Sequence, residues 1–140
     1  MPLNLNNLKK AIGSLDRAVY VTSSKEKMAM LDKDQRETIR AGVIQNFEFT
    51  YELSWKFMKR WLEHNVGSMY VDGLPRRELF RLAAEHQLII HIDQWMIYHD
   101  ARNETAHTYD EKRTQEIFET AGHFLDDAKI LINSLEKKND

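Results

Sequence analysis

Hydrophobic residues recur along most of the chain at alternating steps of three and four, the spacing of one face of an α-helix. This pattern predicts an all-α protein, an antiparallel up-and-down bundle of about five helices. The first predicted helix spans residues 4–22, with Asn4 as its candidate N-cap, and the second and longest spans residues 34–64. The last begins after Asp110, a second candidate N-cap, and ends at the polar tail of residues 137–140.

Between these long helices the pattern predicts shorter elements. Glycine and proline at residues 66–75 predict a loop, and residues 75–86 predict the third helix. Residues 87–91 read as a connection, and the fourth helix is predicted to begin near Asp93, a candidate N-cap. Its apolar face consists of Ile92, Trp95, Met96 and His99, continued by Arg102 and Ala106. The last helix has the most regular stripe, formed by Ile117, Ala121, Phe124, Ala128, Leu131 and Leu135.

The second helix is apolar on two sides, and such a helix must bury both. One stripe consists of Ile44, Phe47, Tyr51, Trp55, Met58 and Leu62. The other consists of Phe49, Leu53, Phe57 and Trp61. The second stripe packs either against a partner subunit or against the chain's own neighbouring helices, and the pattern leaves both interpretations open.

Composition narrows the class of protein. The 140 residues, 42% of them hydrophobic and 30% charged, predict one globular domain over residues 1–140. No apolar run is long enough to span a membrane, so we expect no membrane association and a cytoplasmic location. With no cysteine, the chain has no disulfide and no thiolate nucleophile or ligand. The net charge of −2 argues against a broad nucleic-acid surface but allows a local basic cleft.

Arg102 lies on the apolar stripe of the fourth predicted helix rather than on its polar face. A guanidinium keeps its charge, so a buried arginine needs an anionic partner. That partner is either a phosphate or a carboxylate of the chain. The candidate carboxylates are Asp100, Glu104, Glu48 and Glu52.

His107 follows Arg102 by five residues, a rotation of about 140° on an ideal helix, so the two side chains would not share a face. They can still meet if the helix ends near Thr105, or if one site draws residues from two chains. Histidine carries protons near neutral pH, although it also caps helix ends. The other histidines show no clear spacing with carboxylates for a metal, so we predict neither a metal site nor a cofactor.

Tyr109, two residues further on, completes the pattern Arg-x4-His-x-Tyr. The part of this pattern formed by Arg102, Asn103 and His107 resembles the motif of the HEPN superfamily. The tyrosine resembles the motif of the HepT-like branch of that superfamily, also catalogued as nucleotidyltransferase substrate-binding proteins. Residues 45–56, which read QNFEFTYELSWK, resemble the long helix of that family, and Trp95 also fits. The likeness therefore spans nearly the whole chain.

The resemblance implies a homodimeric helical bundle that gathers motif residues at the dimer cleft. It implies a toxin, a metal-independent ribonuclease acting on RNA, whose antitoxin is a minimal nucleotidyltransferase. Arg102 and His107 would be catalytic, Asn103 would support them, and Tyr109 would accept AMP. As candidate partners of Arg102, the carboxylates Glu52, Glu48 and Asp100 are further supporting candidates.

Three functional hypotheses remain open from the sequence. The chain is an endoribonuclease toxin, or a non-catalytic subunit that presents a substrate to a nucleotidyltransferase, or a helical dimer in which the motif is a buried polar network. Kinship of fold does not choose among them.

Overall fold

A computed structural model of the protein describes residues 2–107 and 110–139, and at residue 107 the backbone alone. In chain order the elements are α1 (Asn6–Thr22), α2 (Lys25–Ala29), α3 (Lys33–Leu62), a π-helical turn (Glu63–Gly67), α4 (Ser68–Val71), α5 (Arg76–Glu85), α6 (Ile92–Asn103), a 3-10 turn (Thr105–His107) and α7 (Glu111–Lys137). Every regular element in these two ranges is helical, which confirms the all-α prediction. The five predicted helices correspond to α1, α3, α5, α6 and α7.

Helix α1 runs antiparallel to both of the longest helices, α3 and α7. Ser14 on α1 donates to the side-chain oxygen of Asn46 on α3 at 2.6 Å, while Thr50 donates to the carbonyl of Ala11 at 3.2 Å. Residue numbers therefore rise along α1 as they fall along α3, so the two helices are antiparallel. Two ion pairs show the same relation between α1 and α7: Lys9–Glu136 and Asp16–Lys129.

The core centres on aromatic side chains that three helices bring together. Phe124 on α7 lies 5.2 Å from Phe47 on α3, and 5.6 Å and 5.1 Å from Trp95 and Tyr98 on α6, measured between ring centroids. These rings meet edge to face, the arrangement that the quadrupole of an aromatic ring favours. The stripe predicted for α7 is buried throughout. This packing fixes α6 against α3 and α7 and so positions the residues of the motif.

The two apolar sides of α3 have different surroundings. Phe57 and Trp61 are buried by the chain's own helices, as one of the two interpretations requires. Phe49, further toward the start of α3, is 61% exposed, and Leu53 is half-buried. The chain therefore covers the second stripe only at its C-terminal end.

The predicted N-caps have mixed outcomes. Asp110 caps α7, as predicted, because its side chain accepts hydrogen bonds from backbone N–H groups of the first turn. Asn4 lies one residue before the cap position of α1, although its side-chain oxygen accepts from the N–H of Asn6 at 3.0 Å. The prediction that Asp93 caps α6 is wrong, because the helix already begins at Ile92 and Asp93 lies in its first turn.

The loop predicted at residues 66–75 is only partly correct. Helical structure continues through a π-helical turn and α4 to Val71, which leaves residues 72–75 as the loop. Gly67 adopts a φ of 119°, a conformation that favours glycine, and it turns the chain without ending the helical path. Val71 is buried and anchors α4 to the core.

The connection predicted at residues 87–91 is confirmed, and Leu88 and Ile89 are buried within it. In the part of the chain that the structure covers, none of the helices combines the length and the hydrophobicity needed to cross a bilayer.

Candidate active site

Arg102 on α6 faces two glutamates of α3. Its Nε atom lies 3.4 Å from a carboxylate oxygen of Glu52, and its Nη1 atom lies 3.7 Å from one of Glu48. The arginine side chain is 32% exposed, so part of it remains open to solvent. Of the four candidate carboxylates, the two on α3 are therefore the ones that lie near Arg102.

The contacts of Arg102 are loose for an arginine. Charge-assisted N–H···O bonds measure about 2.7–2.9 Å, well below the 3.4 Å and 3.7 Å to the two glutamates. The Nε–H group is buried and makes no hydrogen bond within the described residues. Nη1 donates to the hydroxyl of Thr105 at 3.3 Å. Most N–H groups of the guanidinium therefore make no hydrogen bond within the described residues.

The other two carboxylates considered as partners do not contact Arg102. Glu104 forms an ion pair with Arg113 at the start of α7. Asp100 is exposed on α6 and forms no ion pair with any residue that the structure describes.

Two contacts hold the start of the turn that carries His107. Helix α6 ends at Asn103, and Thr105 donates from its hydroxyl to the carbonyl of Arg102 at 2.8 Å. The ion pair between Glu104 and Arg113 ties the residue before the turn to α7. Residues 105–107 form a 3-10 turn, so the helix ends before His107, which was the first of the two ways in which this histidine could approach Arg102. Tyr109 lies outside the described residues.

Beside Arg102, a hydrogen-bonded chain links α3 to the motif. The hydroxyl of Tyr51 lies 2.9 Å from Nδ1 of His99, and Nε2 of His99 lies 3.3 Å from the amide nitrogen of Asn103. Burial, and secondarily the positive charge of Arg76, lowers the pKa of His99. Burial likewise raises the pKa of Tyr51. Both groups are therefore held in their neutral forms, and the chain positions the side chain of Asn103.

A cleft of about 350 Å³ borders this cluster, a volume within the range of ligand-binding pockets. Glu48 and Thr105 line it on the side of Arg102. Arg40 and Glu111, joined by paired contacts of 2.6 Å and 2.9 Å, line the opposite side and hold the start of α7 against α3. Among the described histidine and acidic side chains, no group of three is arranged to hold a metal ion.

Two residues of this region were not identified as functional candidates by their sequence pattern. His99 was predicted to share a face of this helix with Arg102 and was considered as a metal ligand, but not as a hydrogen-bond partner of the motif. Arg76, the first residue of α5, contributes to the electrostatics of His99 and Tyr51. Nothing in its local sequence distinguishes it from the neighbouring Arg77.

Comparison with known proteins agrees with this architecture. The family described as nucleotidyltransferase substrate binding protein like matches residues 3–137. A Haemophilus influenzae protein named Probable ribonuclease HepT is 34% identical over 138 residues, which cover 98% of this chain and 94% of that protein.

Two solved structures are also similar. One, from Haemophilus influenzae, was described as revealing the fold of a substrate binding domain of a nucleotidyltransferase, and it matches with a TM-score of 0.91 at 34% identity, covering 95% of this chain and 99% of that one. A structure from Thermus thermophilus matches with a TM-score of 0.70 at 25% identity, covering 91% of this chain and 98% of that one. The chain thus belongs to the nucleotidyltransferase substrate-binding-protein-like family, which confirms the HepT-like resemblance of its sequence.

Proposed function

We propose that this protein is an endoribonuclease toxin whose active site contains Arg102 and His107. The observation that carries the proposal is the state of Arg102, a half-buried guanidinium held by two glutamates at long distances, with its Nε–H unbonded. It sits one short turn before His107. The name of the Haemophilus influenzae relative, Probable ribonuclease HepT, supports the same reaction.

The chemistry requires few groups from the protein. RNA provides its own nucleophile, the ribose 2′-OH, which attacks the adjacent phosphate and expels the 5′-oxygen. His107 would carry the proton that this exchange moves, and Arg102 would stabilise the charge that grows on the phosphorane. Asn103, held by His99, would contact the same phosphate. This mechanism uses no metal ion, so we expect cleavage to persist in EDTA.

Glu48 and Glu52 would hold Arg102 while the site is empty. A phosphate can form the short, paired contacts that the two carboxylates do not form here, so it would replace them on the guanidinium. In this role the glutamates support the site by keeping a half-buried cation compensated between turnovers.

We further propose that the active form is a homodimer, with the site at the cleft between two copies. Phe49 is 61% exposed on α3 and, with the half-buried Leu53, lines a groove between α1 and α3. An exposed aromatic side chain next to a second apolar residue gives another copy of the chain an apolar surface to cover.

Regulation would use Tyr109. A minimal nucleotidyltransferase acting as antitoxin would transfer AMP from ATP to its hydroxyl. The phosphate and nucleoside so introduced would compete with RNA for Arg102 and fill the cleft.

The test is cleavage of a labelled RNA in EDTA by the purified protein. His107→Ala and Arg102→Ala should each lower the rate by at least about 100-fold with helicity retained. His123→Ala and Arg81→Ala, which remove the same groups from exposed positions on α7 and α5, serve as matched controls. Absence of cleavage by the protein freed of its partner would refute the nuclease proposal.

A second candidate is a non-catalytic subunit that presents a substrate to a nucleotidyltransferase. The description of the Haemophilus influenzae structure favours it. This function predicts a stable complex with the nucleotidyltransferase that survives His107→Ala, together with no RNA cleavage.

A further inference from the structure

Next to the Arg102 cluster lies a second half-buried arginine, Arg76, which forms no ion pair with the residues that the structure describes. The guanidinium carbon of Arg76, at the start of α5, lies 3.4 Å from the centroid of the Trp55 ring on α3. This is a face-on stack, the geometry in which an arginine interacts with an indole. The indole therefore covers one face of the guanidinium, whose N–H groups are left for other partners.

The Nε–H group of Arg76 has no hydrogen-bond acceptor among the described residues. Its Nε atom is buried and makes no hydrogen bond, and within residues 2–107 and 110–139 the side chain forms no ion pair. Burial is the main influence on its pKa, which is lowered from the usual value of an arginine. A half-buried guanidinium that lies over an indole and has an unbonded N–H group is suited to binding an anion.

A short chain of contacts connects Arg76 to Arg102. Trp55, beneath Arg76, donates from its indole nitrogen to one carboxylate oxygen of Glu52 at 3.1 Å. The other carboxylate oxygen of Glu52 lies 3.4 Å from Nε of Arg102. The two arginines therefore flank Glu52, and both act electrostatically on Tyr51.

A second cation lies near the Trp55 ring. The ammonium of Lys56 is 5.8 Å from the Trp55 centroid, and the lysine is exposed. Trp55, Lys56 and Arg76 form what we call the Trp55 patch, a local concentration of positive charge in a protein whose net charge is −2. Such a patch attracts a polyanion even though the whole surface does not.

We propose that the Trp55 patch binds the RNA strand through a phosphate next to the one that is cleaved, with Arg76 as the principal contact. This assignment rests on the proposed function, because it gives the same active site a second phosphate position. Arg102 would hold the phosphate that reacts, and Arg76 would hold its neighbour. Arg76 is therefore a binding residue, and its loss should weaken RNA binding without changing the chemical step.

The experiment measures cleavage of a short single-stranded RNA with a fluorophore and a quencher, over a series of salt concentrations. The variants are Arg76→Gln and Arg76→Met, the second retaining an alkyl chain to cover Trp55. Arg77→Gln is the matched control, because Arg77 is the next residue and forms its own exposed ion pair with Asp93. Circular dichroism verifies that each variant folds.

Both Arg76 variants should raise KM several-fold with kcat nearly unchanged. The slope of log KM against log salt should fall by about 0.7, the contribution of one phosphate contact to a single strand. Arg77→Gln should change neither quantity. If both Arg76 variants keep the KM and the salt slope of the wild type, the Arg76 assignment is wrong and the nuclease proposal stands. If the wild type cleaves no RNA, both proposals fail.

Discussion

The hydroxyl of Tyr51 lies 2.9 Å from Nδ1 of His99. The opposite nitrogen, Nε2, faces the amide nitrogen of Asn103 at 3.3 Å. An amide nitrogen only donates, so Nε2 accepts and the proton of the neutral ring resides on Nδ1, which donates to Tyr51. A protonated His99 would present a donor to the donor of Asn103. The geometry and the lowered pKa of His99 therefore agree.

The first prediction is that His99 makes stability depend on pH below 6.5, its usual pKa. Because the folded-state pKa of His99 is depressed, the unfolded chain takes up a proton that the folded ring resists. Stability is then full above pH 6.5 and falls as the pH drops from there through the folded-state pKa. In wild type, Tm should decrease more steeply over this range than in His99→Gln.

Calorimetry at a series of pH values checks this difference. His123→Gln, which removes an exposed imidazole from α7, should keep the wild-type slope. Equal slopes of Tm against pH in wild type and His99→Gln would show that His99 does not contribute to the pH dependence of stability.

The second prediction concerns Glu52, which competes with phosphate for Arg102 under the proposed function. Glu52→Gln removes the nearer of the two carboxylate charges. RNA should then bind more tightly, with KM lower by about twofold to fivefold, corresponding to loss of a partly exposed ion pair of about 0.5–1 kcal/mol. Steady-state cleavage kinetics measure this change in KM.

Glu85→Gln, an equal change of charge at an exposed position on α5, is the control and should leave KM unchanged. A higher KM in Glu52→Gln would mean that Glu52 positions Arg102 for RNA rather than competing with it.

The third prediction is that Tyr109 accepts AMP. Incubation of the wild type with its nucleotidyltransferase and ATP should add the mass of AMP to the intact protein and abolish RNA cleavage. Tyr109→Phe should gain no mass and should remain active. Tyr70→Phe, which removes a hydroxyl from an exposed tyrosine on α4, should behave as the wild type does. AMP found on Tyr109→Phe would place the modification on another residue.

Some of the features on which these predictions depend can be predicted from the sequence, and others cannot. The stripe of α7 was predicted residue by residue, because a helix buried along one side repeats its apolar positions at a fixed period. Gly67 misled the prediction at residues 66–71, since a glycine marks an unusual backbone angle but does not say whether the helix stops or only turns. The buried Val71 shows that the second outcome applies.

The candidate site divides in the same way. Arg102 and His107 form a local motif, and the motif is readable because its members lie close along the chain. The contacts of Arg76 with Trp55 and of Tyr51 with His99 join different helices. Side chains so distant in sequence meet only through the packing of α3 with α5 and α6. The period of the apolar residues along one helix does not predict which side chains of another helix it will contact.

The fourth prediction tests whether two copies build the site. Phe49→Asp places a charge at an exposed aromatic position on α3, where a partner copy would have to bury it. Light scattering should show a dimer for the wild type and a monomer for Phe49→Asp, and RNA cleavage should be lost along with the dimer. Met69→Asp, at a position on α4 that is 87% exposed, is the control and should remain dimeric and active. A monomeric Phe49→Asp with full cleavage activity would show that one chain contains the complete site, with Arg102 and His107 meeting across the turn that ends α6.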